Sequence, residues 1–158
     1  MTNKLKYFIG NWKMFGNLQS FPIINRINKF ASNFGNSSFK RKVVLCVPST
    51  LIYFFKKKMK SSYISIGAQN CHQHNTVGAF TGSVNAYMLK NSGSEYVILG
   101  HSENRCNGET NNIIKQKIKS ALNQNLKVIF CVGETFKEKK IGKTFDVIKK
   151  QIHGSLEK

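Results

Sequence analysis

Five short apolar runs recur along this chain, and a stretch with helical spacing or capping follows each of them. The runs cover residues 7–10, 43–47, 64–68, 96–99 and 127–132. After the first, Phe21, Ile24, Ile27, Ala31 and Phe34 recur at steps of three and four, the spacing of an apolar helix face. Leu51, Ile52, Phe54 and Phe55 follow the second run, ahead of the lysine run Lys56-Lys57-Lys58-Met59-Lys60. Behind the third lies a polar, glycine-bearing loop, 69–82, and then a short helix over 86–90 that Gly93 ends. Ile114, Ile118, Ala121 and Leu122 give the next helix its apolar face, and Phe145, Ile148 and Ile152 mark the last. Ser20 ahead of Pro22, Ser49 after Pro48, and Thr144 are the expected helix caps. Strands that alternate with helices in this way build a parallel sheet joined by right-handed crossovers. The expected fold class is therefore α/β, and the whole chain, 1–158, reads as one unit.

Composition narrows the functional classes. Hydrophobic residues make up 41% and charged residues 20%, which suits a globular protein. No run approaches the roughly 18 apolar residues of a membrane span. The opening residues lack the apolar core of a signal peptide, so a cytoplasmic protein without a membrane partner is expected. Cys46, Cys71, Cys106 and Cys131 are dispersed, and two of them sit inside apolar runs, which argues against a disulfide framework. The formal net charge of +18 raises the possibility of nucleic-acid binding. The lysines are scattered, however, and no aromatic-plus-basic RNA-recognition motif interrupts them. Steering of a small anionic substrate is the expected consequence, with no nucleic-acid partner.

Chemistry concentrates where the apolar runs end. The fourth reads Tyr96-Val-Ile-Leu and passes through Gly100 into His101-Ser102-Glu103. Asn11-Trp12-Lys13, Gln69-Asn70 and Gly133-Glu134-Thr135 occupy the corresponding ends of the first, third and fifth. In parallel α/β folds these carboxyl ends share one mouth. An amide, a lysine, an imidazole and a carboxylate would meet there, without the nucleophile–base pair of a hydrolase. A lysine cation and an imidazole donor suit polarisation of a carbonyl on a phosphorylated substrate. Taken alone, His101 could equally be a hydrogen-bonded structural histidine and Lys13 a surface lysine. Cys71-His72-Gln73-His74 offers too few converging donors for zinc, so no metal site is expected. Glu134 is expected to bond backbone rather than to form a base pair with Glu138.

These residues fall into motifs that closely resemble the triosephosphate isomerase family. They are Gly10-Asn-Trp-Lys-Met14, Gln69-Asn70-Cys71, Gly78-Ala-Phe-Thr-Gly82, Val97-Ile-Leu-Gly-His-Ser-Glu103, and Cys131-Val-Gly-Glu134 followed by Gly142-Lys-Thr144. They span nearly the whole chain in the family's order and spacing. The resemblance implies a parallel (β/α)8 barrel, of which this chain would supply about five βα units. It implies interconversion of dihydroxyacetone phosphate and glyceraldehyde 3-phosphate through an enediolate, in glycolysis and gluconeogenesis, with no cofactor. It implies Asn11 and Lys13 as substrate-binding residues, Lys13 stabilising negative charge, and His101 as a neutral imidazole electrophile. Glu103 would belong to the catalytic group by pairing with Lys13. Residues 69–82 would form the interdigitating loop of a homodimer, with Thr81 reaching the neighbouring site.

The sequence also departs from that pattern. The family's general base is a glutamate within a Glu-Pro-Val-Trp segment after strand six, and the only tryptophan here is Trp12. The family's glycine-rich phosphate loops have no counterpart either. The chain is therefore expected to be an incomplete barrel or one part of a split one, inactive or nearly so alone. The family's cross-dimer Glu–Arg pair is replaced by Ser83 and Asn104. Two other readings stay open: a non-catalytic or complementing half-barrel that binds a partner chain, and a basic nucleic-acid-binding protein.

Overall fold

The computed structural model describes residues 5–33, 40–59 and 61–156. Phe34 of the first helical stripe and Lys60 of the lysine run lie outside the described residues. Strands β1 (Lys6–Asn11), β2 (Arg41–Cys46), β3 (Ile64–Ala68), β4 (Tyr96–Leu99) and β5 (Lys127–Phe130) form one sheet in chain order. Every pairing is parallel, with Asn11 beside Cys46, Cys46 beside Gly67, Gly67 beside Tyr96 and Tyr96 beside Lys127. The connecting helices are α1 (Phe21–Ser32), α2 (Ser49–Lys58), α3 (Ala86–Asn91), α4 (Ser102–Cys106), α5 (Asn111–Asn123), α6 (Phe136–Lys140) and α7 (Thr144–Ser155). The expected α/β class and all five strands are present. Among the described residues no helix is long and apolar enough to cross a membrane.

Side-chain alternation divides the sheet into two faces. Leu45, Ile66, Ala68, Val97 and Leu99 point to the helix layer and are buried with Ile24, Ile52, Phe55, Leu89, Ile114 and Ala121. Phe55 anchors this layer, with its ring 5.8 Å from Trp12 and 5.7 Å from Phe54. Val44, Cys46, Tyr96 and Ile98 form a second, smaller cluster on the other face. Burial pushes the Cys46 thiol up to about 12, so it packs as a neutral hydrophobe. Gly67 makes this possible: a Cβ there would lie 2.7 Å from Cys46 Sγ.

The face turned away from the helices is unevenly exposed. The central strands cover one another there, and exposure is concentrated on edge strand β1, where Tyr7 and Ile9 are 50% and 42% exposed; Phe8, on the helix side beside Val43, is 55% exposed. β5 forms the opposite edge of the sheet.

Helix ends also differ from the reading of the sequence. None of Ser20, Ser49 and Thr144 caps its α-helix through its side chain: Ser20 makes no cap bond to α1, and the other two are the first residues of their helices. Asn17 does the work before α1, capping a 3-10 turn at Leu18–Ser20 in reciprocal fashion with Ser20. Asn85, Thr110 and Thr135 cap α3, α5 and α6 through their side chains. Leu122 and Phe145 are absent from the core, at 56% and 85% exposed. β5 stops at Phe130, short of residue 132. The last helix runs beyond Ile152, so that His153 to Ser155 continue α7. That helix packs on α5 and is pinned to the β5 exit, where Gln151 accepts from Gly133 N at 2.9 Å and donates to Gly133 O at 2.8 Å.

Candidate active site

The parallel register brings the carboxyl ends of β1, β3 and β4 to one cleft of about 300 Å³, lined by Asn11, Lys13, Gln69, Asn70, His101 and Glu103 among others. β1 ends on Asn11, and the chain then turns sharply at Lys13, whose φ of 52° lies in the left-handed region. For a lysine that conformation costs about 1–2 kcal/mol. Three contacts hold it. Lys13 N donates to Asn11 Oδ1 at 2.9 Å, and Gln69 Nε2 donates to Lys13 O at 2.7 Å and to Asn11 Oδ1 at 3.2 Å. The same Gln69 nitrogen lies 3.2 Å from Cys46 O, so one amide ties together the ends of β1, β2 and β3.

The turn aims Lys13 across the cleft. Its Nζ donates to Glu103 Oε1 at 2.7 Å. That hydrogen bond, reinforced by the lysine charge and by His101, holds the Glu103 carboxyl below its ordinary value, against a smaller opposing effect of desolvation. Because the folded-state value is depressed, the ion pair is intact at neutral pH. It is lost only as the pH falls below the ordinary carboxylate value of 4.5.

His101 sits between β4 and α4 with backbone angles of −58° and 143°. Its Nδ1 accepts from Glu103 N at 3.3 Å. A neutral ring held this way carries its proton on Nε2, leaving an N–H donor. Glu103 Oε2 lies 3.5 Å from Nδ1, so one carboxylate touches both Lys13 and His101.

The turn into His101 is itself braced. Gly100 has a φ of 73°, and a Cβ there would lie 2.9 Å from Cys131 O and 3.0 Å from the Arg105 guanidinium. Arg105 in turn donates to Gly100 O at 2.8 Å and Asn111 Oδ1 at 2.7 Å. Gly100→Ala is therefore expected to cost about 2–3 kcal/mol, from the left-handed backbone and the clash together. Urea unfolding followed by circular dichroism checks this, and a loss under about 0.5 kcal/mol would contradict it.

The sequence-predicted residues Asn11, Lys13, His101 and Glu103 thus line one cleft. Thr81 does not line it; it is exposed in the 69–82 loop. Glu134 bonds the Thr144 hydroxyl at 3.2 Å, where a backbone partner was expected. Cys71 is buried, while the His72 and His74 rings stack on each other, so these donors do not converge on a common point.

Sequence reasoning missed the support beneath the cleft. Asn70 Nδ2 donates to Glu109 Oε1 at 2.9 Å, and Lys117 Nζ donates to Asn70 Oδ1 at 3.0 Å and to Glu109. Lys117 was legible: it occupies the core-facing stripe of α5 beside Ile114, Ile118 and Ala121. A lysine there needs an anionic partner. Chemically, the cleft offers a cation, an imidazole donor and an amide. Glu103, already engaged by Lys13, is its only carboxylate among the described residues.

The triosephosphate isomerase family model matches residues 6–158. Similar curated proteins include the triosephosphate isomerases of Alkaliphilus metalliredigens, 44% identical over 150 residues, and Alkaliphilus oremlandii, 41% identical over 149 residues. Each alignment covers 94% of this chain and 58% of the relative. The crystal structure of triosephosphate isomerase from Bartonella henselae is similar with a TM-score of 0.88 at 36% identity, over 96% of this chain and 61% of that one. The chain therefore spans 58% to 61% of the length of these relatives.

Proposed function

We propose that this chain, which belongs to the triosephosphate isomerase family, carries the polarising half of an isomerase site on five βα units of a (β/α)8 barrel. The reaction is the interconversion of dihydroxyacetone phosphate and glyceraldehyde 3-phosphate, a cytoplasmic step of glycolysis and gluconeogenesis. Asn11 and Lys13 bind the substrate, and the Lys13 cation balances the charge that develops as a proton leaves carbon. His101 donates Nε2–H to the oxygen that becomes the enediolate, lowering the barrier by stabilising that anion. Glu103 keeps Lys13 extended across the cleft and holds the His101 turn through its own backbone N–H.

One observation carries this reading: the ammonium and the imidazole meet at one cleft, joined through Glu103. A free carboxylate base is absent from the described lining residues, so the proton-abstracting half is supplied by another segment. The 158 residues alone are then expected to show no turnover above background. The exposed 69–82 loop, with Thr81, is the part that reaches a second copy in a homodimer.

A coupled assay of triose phosphate isomerisation tests the reading. Turnover is expected when the chain is mixed with a polypeptide bearing the Glu-Pro-Val-Trp loop, and His101→Gln or Lys13→Met should lower it by about 100- to 1,000-fold. Ordinary turnover by the chain alone would overturn the division of the site. Unchanged turnover in both variants would overturn the assigned roles.

A further inference from the structure

We infer that His72, His74 and Phe80 form an acid-labile ring stack that keeps the 69–82 loop folded while the His72 imidazole is uncharged. This does not depend on the isomerase reading. The three rings pack together at the base of the loop. The His72 and His74 centroids are 5.4 Å apart at an interplanar angle of 19°, and Phe80 lies 4.7 Å from one and 4.1 Å from the other. Phe80 comes from the far side of the loop, so the stack staples its two limbs.

Two features make the staple sensitive to protons. His74 N donates to His72 Nδ1 at 3.3 Å, and Nδ1 can accept only while it is unprotonated. The parallel rings also place two like charges face to face once both are imidazolium. A single charge on His74 could gain from the Phe80 face, but the second proton has no such compensation. The surroundings do not help. Lys117 and Lys119 of α5 are the charged groups beside this region, and both are cations. Glu109 is already taken by Lys117 and Asn70. Desolvation first, then His74 and Lys117, keep the His72 imidazole below its ordinary value of 6.5. A depressed folded-state value means that the unfolded loop binds more protons, so loop stability is full above 6.5 and is lost as the pH falls below it.

What remains after acidification is weaker. Beyond Cys71, the loop's other ties to the rest of the fold include His72 N to Val84 O at 2.8 Å, Asn85 Nδ2 to Thr76 O at 3.0 Å and two long contacts, Ser120 Oγ to His74 O and Gln124 Nε2 to Asn75 Oδ1, each at 3.4 Å. All of them hold the 72–76 limb, and the two nearest His74 are long. Exposed Val77 and Phe80 would then lose a defined presentation.

The test is amide hydrogen exchange of loop residues in the 158-residue chain, corrected for intrinsic rate, with ring-proton NMR titration of both histidines. Protection over residues 74–81 is expected to fall at least about tenfold between about pH 7.5 and about pH 5.5. In His74→Phe, which retains three rings but cannot take the second charge, the fall should shrink. The His72 midpoint should also move up towards 6.5 in that variant. Should His74→Phe disturb the loop, the wild-type titration alone decides. Two ordinary, independent midpoints, or protection unchanged with pH, would overturn the inference, as would an undiminished fall in His74→Phe.

Discussion

Phe55→Ala is expected to cost about 3–5 kcal/mol and to leave little folded chain at ambient temperature. Phe55 is fully buried and sits where β1, α1 and α2 meet, with Trp12, Phe21 and Phe54 rings within 5.7 to 6.3 Å. Removing it deletes a large apolar contact and leaves a cavity whose walls belong to three different elements. These walls cannot collapse together without disturbing the Trp12 turn that leads to Lys13. Typical domains have only about 5–15 kcal/mol in reserve, and an open sheet belongs at the low end of that range. Phe55→Leu, which keeps most of the volume, should lose only about 1–1.5 kcal/mol. Urea unfolding of both variants measures the difference. A loss below about 1 kcal/mol for the alanine variant would mean that this aromatic group is not the anchor of the helix layer.

Lys117→Met is the second large effect, expected at about 3–5 kcal/mol. The two side chains of the Lys117–Glu109 pair are only 8% and 12% exposed, so removing the cation strands a carboxylate away from water. Glu109 already has one oxygen, Oε2, without a hydrogen-bond partner. In the variant its carboxyl should shift upward and bind a proton more readily than in the unfolded chain. By linkage the destabilisation then deepens as pH rises, the reverse of ordinary carboxylate behaviour. Lys117→Met combined with Glu109→Leu should recover most of the loss, because it is the unpaired charge and not the missing pair that is costly. Equal stability of the single and double variants across pH 5–8 would refute this account.

Which parts of the molecule were legible in the sequence follows from the range of the forces involved. β4 was plain because a strand buried on both faces has no polar residue to interrupt it, and Tyr96, Val97, Ile98 and Leu99 are all buried. The cleft was legible because strand ends in a parallel sheet share a mouth, so Asn11, Lys13 and His101 needed only the register to meet. Helix caps were misread because several polar residues in a row could each serve. The choice of Asn17 over Ser20 depends on the 3-10 turn between them. Leu122 and Phe145 were misplaced because periodicity gives the width of an apolar stripe poorly, and the next element decides how much of it is covered. The short helices α4 and α6 escaped notice because five residues carry too little periodicity to detect. Lys117 stood out on its apolar stripe, but its pairing with Glu109 needed the fold, since eight residues of separation place them together only across the α5 cap.

The order of the strands in the sheet is also their order in the chain. Each strand that leaves the ribosome therefore finds its neighbour already laid down, and no segment has to be held in reserve for a later partner. Assembly by this route is stepwise and local, which favours rapid folding and few wrong pairings. The exception is the outer edge of β1, which has no neighbouring strand among the described residues and keeps Tyr7, Phe8 and Ile9 partly in water. Lys6 and the basic residues of β2, Arg41 and Lys42, lie beside this edge, and like charge of that kind opposes edge-to-edge pairing with a second copy of the chain.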